Sequence, residues 1–179
     1  MRIGSRYNGI GGELGDQLHA LEKGQPAIIN LFYGEGPGSV IGYVRRKGTE
    51  RIFLDSHLYL DGHRTFLDMV LHPFTGIYEY YSSIKSLAPA APIKSVHHHD
   101  VLPFLEQLER KDAIIAETEN YSAIGFLMKS PPDLDDILWM SPEKDERHMR
   151  HDFSVPSEEL VSVSLLQRQK DCLLGDNGG

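Results

Sequence analysis

An Asp61-Gly62 pair stands between two runs rich in β-branched and aromatic residues, RIFLDSHLYL before it and HRTFLDMVLH after it. A two-residue turn that matches the strand twist needs φ > 0 at both central positions, which Asp-Gly supplies. The sequence therefore predicts a hairpin over residues 51–72. In its register Ile52, Leu54, Ser56, Leu58 and Leu60 face Leu71, Met69, Leu67, Thr65 and His63, an apolar side. The other side sets Phe53, Asp55, His57 and Tyr59 opposite Val70, Asp68, Phe66 and Arg64. A one-residue slip would scatter this pattern, so the hydrophobic face fixes the register.

Around that hairpin the chain reads as sheet. Residues 27–33 (AIINLFY) form an apolar run, residues 40–46 a second, and residues 77–81 a third, with glycine-rich or proline-containing turns between them. Short connections require antiparallel neighbours, because parallel pairing needs a long crossover. The expectation is a meander of about five strands over residues 27–81. Helical spacing of Leu14, Leu18 and Leu21 predicts a preceding amphipathic helix over residues 13–23, stopped by Gly24.

Residues 86–93 (SLAPAAPI) are proline-rich and extended, a seam before a second half. There Asp100 caps an expected helix carrying Val101, Leu102, Leu105 and Leu108, residues 113–116 and 123–128 read as strands, and residues 134–140 as a short helix. Residues 156–174 open with a helix-start pattern, although residues 160–165 alternate as a strand would; length and the cap favour helix. No internal repeat stands out. The predicted class is α+β: an antiparallel meander with helices on one side and a mixed α/β C-terminal half. Residues 1–175 are expected to form one globular domain, sheet-rich over 1–85 and acidic over 100–175, with 176–179 as a disordered tail.

Charge is segregated. Of 26 acidic and 18 basic residues, sixteen acidic and eight basic lie in residues 101–179, so the whole net charge of −8 sits there. That argues against nucleic-acid binding, which relies on a basic footprint. It suits a basic protein partner, drawn in by long-range attraction. Asp133, Asp135, Asp136, Glu143, Asp145 and Glu146 are the candidate partner-binding residues. No run of about 20 apolar residues suggests a membrane span, the N-terminus lacks the apolar core of a secretory signal, and one cysteine, Cys172, fits a reducing, cytoplasmic setting.

Chemistry-bearing residues are few. His97 and His99 could share a strand face, and His148 and His151 a helix face, giving a possible zinc or manganese site if the fold unites them. Asp55, His57 and Asp68 form an alternative set on the hairpin. The glycine run at residues 9–15 has neither G-x-G-x-x-G spacing nor the Lys-Ser/Thr of a P-loop, and no G-x-S-x-G occurs. Tyr78, Tyr80 and Tyr81 with Glu79 are candidates for a binding face. No catalytic set is assigned and no cofactor is expected. The reading is a small soluble acidic binding protein, inhibitor- or immunity-like or chaperone-like, that engages a basic partner without catalysis; the alternative is a metal-dependent hydrolase.

Overall fold

A computed structural model describes residues 10–33, 36–59, 76–129, 137–145 and 152–168. Among them the chain is mostly antiparallel sheet. The first sheet comprises β1 (Pro26–Tyr33), β2 (Gly36–Lys47), β3 (Arg51–Asp55), β5 (Gly76–Tyr80) and β6 (Ile84–Pro89), in the order β5-β3-β2-β1-β6. The second comprises β7 (Lys94–His97), β8 (Ala113–Glu117), β9 (Tyr121–Leu127), β10 (Ile137–Ser141), β11 (Phe153–Pro156) and β12 (Ser162–Gln167), in the order β11-β10-β9-β8-β12-β7. β4 (His57–Tyr59) joins β9 of this second sheet. Two helices, α1 (Gly12–Ala20) and α2 (Val101–Leu105), precede β1 and β8 respectively.

The expected α+β class is therefore overturned. Residues 137–141 are strand instead of helix, with Leu138 and Met140 buried and Trp139 exposed between them. In the segment expected as a C-terminal helix, the capping pattern yields only a single 3-10 turn, Ser157–Glu159. The alternating Val163 and Leu165 that follow pair on both edges, with β7 and β8, and that pairing outweighs the local helix start. The predicted hairpin pairing also gives way. Both edges of β3 are taken, by β2 and by β5, so Asp55 lies opposite Tyr43 and Gly76. Asp61 and Gly62 lie outside the described residues.

The two sheets repeat one plan. In each half a helix leads to strands a, b, c and d, then a 3-10 turn, then strand e, and the sheet order is d-c-b-a-e. Strands a to e are β1, β2, β3, β5 and β6 in the first half, and β8, β9, β10, β11 and β12 in the second. The correspondence extends to single hydrogen bonds. Gly24 N–H donates to Val44 O at 2.7 Å, and Lys111 N–H donates to Leu127 O at 2.7 Å. Val44 N–H donates to Gln25 O and Leu127 N–H to Asp112 O, both at 2.9 Å. The Gln25 and Asp112 side chains then accept from Glu22 N–H and Glu109 N–H. Gly24 and Lys111 both have positive φ, 83° and 71°.

Three cores follow from the alternation of side chains. Leu18 and Leu21 pack on Ala27, Ile29, Val44, Ile52 and Leu54; Leu105 and Leu108 pack on Ile114, Ala116, Leu127, Leu138 and Met140. Between the sheets lie Ile41, Tyr43, Ile115, Ile124 and Phe126. Strands a and b are thus covered on both faces, which explains their continuous apolar runs. Strands c and d of the first half bury only one face: Ile52 and Leu54 point inward, whereas Arg51, Phe53 and Asp55 are partly exposed.

The halves also exchange backbone. After strand c the chain bends at Ser56 and β4 crosses to pair with β9, Ser56 O accepting from Ile124 N–H at 2.9 Å. Residues 142–144 make the reciprocal crossing after β10: Pro142 O accepts from Ile41 N–H and Ser39 O from Lys144 N–H, each at 2.9 Å. Strand b carries a glycine beside this junction in both halves. A Cβ on Gly42 would lie 2.7 Å from Leu54 Cβ, and one on Gly125 would lie 2.9 Å from Ser141 O.

Candidate functional site

The exchange decides what becomes of the hairpin residues. Asp55 stays in the first sheet beside Arg45, Oδ1 to Nη1 3.9 Å, while His57 enters the second sheet. His57 is 4% exposed, and its ring centroid lies 4.7 Å from Phe153, 5.3 Å from Tyr121 and 6.4 Å from Tyr59. Rings at these separations are in contact, so the cluster is a packed plug rather than an open cage. Asp68 lies outside the described residues.

His97 ends β7 and His99 follows in the exposed 3-10 turn His98–Asp100, its Nε2 3.5 Å from Asp100 Oδ1. His148 and His151 lie outside the described residues, among which no group of three or more His, Cys, Asp or Glu side chains is placed to hold a metal. Of the acidic candidates, Glu143 and Asp145 stand in the segment that crosses to the first half, Glu143 bridging to Val40. Asp133, Asp135, Asp136 and Glu146 lie outside the described residues.

Glu143 reaches a titrating neighbour. Glu79 lies on β5 between Ile77 and Tyr81, which both belong to the first core. Burial, with the Glu143 charge as a second cause, raises its carboxyl to about 7. Across the sheet interface Tyr43 is hydrogen-bonded to Ser122, and burial pushes its hydroxyl well above the usual range.

Among the described residues, aromatic side chains gather on the outer face of β3 and β5. Phe53 opposes Tyr78 and Arg51 opposes Tyr80 across the two strands. The Arg51 guanidinium carbon lies 4.7 Å from the Tyr78 centroid, 5.2 Å from Phe53 and 5.8 Å from Tyr80. A register shift between Val44 and Arg46 sets Arg46 opposite Phe53, with its guanidinium 4.5 Å from that ring. Tyr78 and Tyr80 are 49% and 45% exposed. Tyr81 instead turns into the core and donates to Gly48 O at 2.7 Å. Beside Tyr80 a groove of about 390 Å³ is lined by Ile10, Leu14, Thr49, Glu50, Tyr81 and Ser82. The sequence points to Tyr78 and Tyr80 but not to Arg46, Arg51 and Phe53, because long-range pairing of β3 with β5, and the bulge that sets Arg46 opposite Phe53, bring them together.

The second half carries a reduced version. Trp139 occupies the place of Phe53 and is 41% exposed, and Lys129, two residues beyond Leu127 as Arg46 is beyond Val44, sets its Nζ 5.8 Å from that ring. The places of Arg51, Tyr78 and Tyr80 are held there by Ile137, Ser154 and Pro156.

No protein-family model matches the chain, and no curated protein matches it. Among solved structures it is similar to the crystal structure of Arabidopsis thaliana AGDP1 AGD34, with 11% identity over 82% of this chain and 84% of that one and a TM-score of 0.24. The ADCP1 tandem Agenet domain 3-4 gives 9% identity over 82% of each chain and a TM-score of 0.25. Scores this low carry no argument about fold or function. Among the described residues no helix is long and apolar enough to cross a membrane.

Proposed function

We propose that the protein is a binding protein without catalytic activity that engages a basic protein partner through its acidic half, as an inhibitor of a cationic protein or a chaperone would. The observation that carries this reading is the charge segregation: residues 101–179 hold sixteen acidic and eight basic residues, and residues 1–100 balance. Glu143 and Asp145, on the crossing segment, are backed by hydrogen-bonded backbone, which limits the ordering cost of contact. Asp133, Asp135, Asp136 and Glu146 extend the same acidic stretch in sequence.

The test replaces all six by Asn or Gln in the full chain. Proteins retained from the source lysate by the native chain and lost by the variant are the partners. They should be basic, and their association rate should fall steeply with salt for the native chain and shallowly for the variant. Equal retention and equal salt dependence by the two chains would refute the reading.

A further inference from the structure

We propose that Arg46 and Arg51, stacked on Phe53, Tyr78 and Tyr80, form a docking surface for an acidic peptide segment of a partner protein. Its charge is opposite to that of the acidic stretch.

A guanidinium lying on an aromatic face is held in plane by cation–π attraction, and its N–H edges remain directed outward. Those edges form the fork that takes a carboxylate through two parallel hydrogen bonds. Arg51 touches three rings and Arg46 one, all on strands β2, β3 and β5. Among the described residues neither arginine has a carboxylate within salt-bridge distance; the nearby Asp55 faces Arg45 instead. Much of the entropy lost when a flexible arginine binds an anion is thus already lost in the free protein.

The occupant follows from charge and from ring access. A nucleic-acid strand binds such surfaces by stacking bases on open ring faces. Here guanidinium groups lie over the ring faces, and the net charge of −8 repels a long polyanion. A short peptide with a few carboxylates meets both forks at far smaller electrostatic cost. The groove that begins at Tyr80 is lined by Ile10 and Leu14 together with Thr49, Glu50 and Ser82, so it takes a neutral neighbouring side chain of that peptide rather than a further carboxylate.

The second half supplies an internal comparison. Its Lys129–Trp139 pair keeps one cation on one ring, but Ile137, Ser154 and Pro156 stand where the first half has Arg51, Tyr78 and Tyr80. The enlarged surface is therefore confined to the first half, the one whose charges balance.

The experiment uses the full chain and fluorescence anisotropy with two labelled probes, a peptide alternating Glu with Leu and an oligothymidylate. The peptide should bind, and Arg51→Gln should weaken it at least tenfold, since it removes a charge-assisted hydrogen bond. Arg51→Lys, which keeps charge but loses the fork, should fall between. Lys129→Gln should bind the peptide as the native chain does, and the six-residue acidic variant at least as tightly, since it removes like charge. Thermal unfolding of each variant confirms that the fold is intact. Absence of peptide binding by the native chain would overturn the proposal. So would unchanged affinity in a folded Arg46→Gln/Arg51→Gln variant, or tighter binding of the oligothymidylate than of the peptide.

Discussion

Glu79 makes the stability of this fold depend on pH, and Glu143 of the other half shares in the effect. In the folded chain the Glu79 carboxyl is raised to about 7 from its ordinary 4.5, by burial first and the Glu143 charge second. Between those two pH values the folded state therefore holds a proton that the unfolded chain has released. Stability must then fall as pH rises from about 4.5 to about 7, and level off above. The shift corresponds to at most about 3.4 kcal/mol. Glu79 keeps partial solvent access, which screens this to about 1–2 kcal/mol. For a chain of this length that is about 2–8 °C in Tm. Glu79→Gln should melt higher than the native chain at pH 8 by that amount and show a flatter pH profile between 5 and 8, measured by calorimetry. Glu143→Gln should flatten the same window less, as the smaller cause, and the double variant should add little to Glu79→Gln. A native slope retained in Glu79→Gln would refute the assignment. A flattened slope in Glu79→Gln with none in Glu143→Gln would refute the proximity of the crossing segment.

Three further predictions concern the repeated frame. Gly42→Ala and Gly125→Ala should each destabilise by about 1–3 kcal/mol, because the added methyl meets Leu54 Cβ or Ser141 O below 3.0 Å; denaturant unfolding with both midpoints unchanged would count against the close crossing. Lys111→Gly should raise the unfolding midpoint, gaining about 0.5–1 kcal/mol from relief of the left-handed backbone, while Gly24→Ala at the equivalent turn should lose about 1–2 kcal/mol. Tyr43→Phe should cost about 1 kcal/mol through the lost bond to Ser122, with the fold intact because Phe126 holds the same place in the other half.

Local pattern located several strands, at β1, β2, β5, β8 and β9, because each carries an apolar run bounded by turn residues. It failed where two local signals competed. Residues 157–159 offered a helix start and residues 162–167 a strand, and long-range pairing on both edges settled the contest. The Asp61-Gly62 signal likewise says nothing about β2 and β5, which claim the two edges of β3. The repeat itself is faint in sequence. Residues 39–44 read SVIGYV and residues 122–127 read SAIGFL, the two b strands with their Ile41/Ile124 and Gly42/Gly125 pairs. Between them the connections differ in length, so no fixed period forms. The ring–cation surface was hidden for a related reason: a bulge after Val44 moves Arg46 to the face of Phe53, and a one-residue shift reverses a strand's faces.

What the two halves share and what they do not share separates frame from surface. Shared are the positive-φ turn at Gly24 and Lys111, the strand-b glycines, and the isoleucines that meet between the sheets. The strand-b glycines leave no room for a Cβ, the turns need positive φ and the isoleucines fill the space between the sheets, so both halves are bound by the same constraints. The crossing residues differ. His57 packs among rings in the second half, whereas its counterpart Glu143 brings a charge toward Glu79 in the first. The outward faces differ most, with Arg51, Tyr78 and Tyr80 against Ile137, Ser154 and Pro156. No packing requirement in the frame calls for two arginines on three partly exposed rings, because the second half completes the same strands without them. Function is carried by sites set on a fold rather than by the fold, and the two halves differ most on their exposed faces.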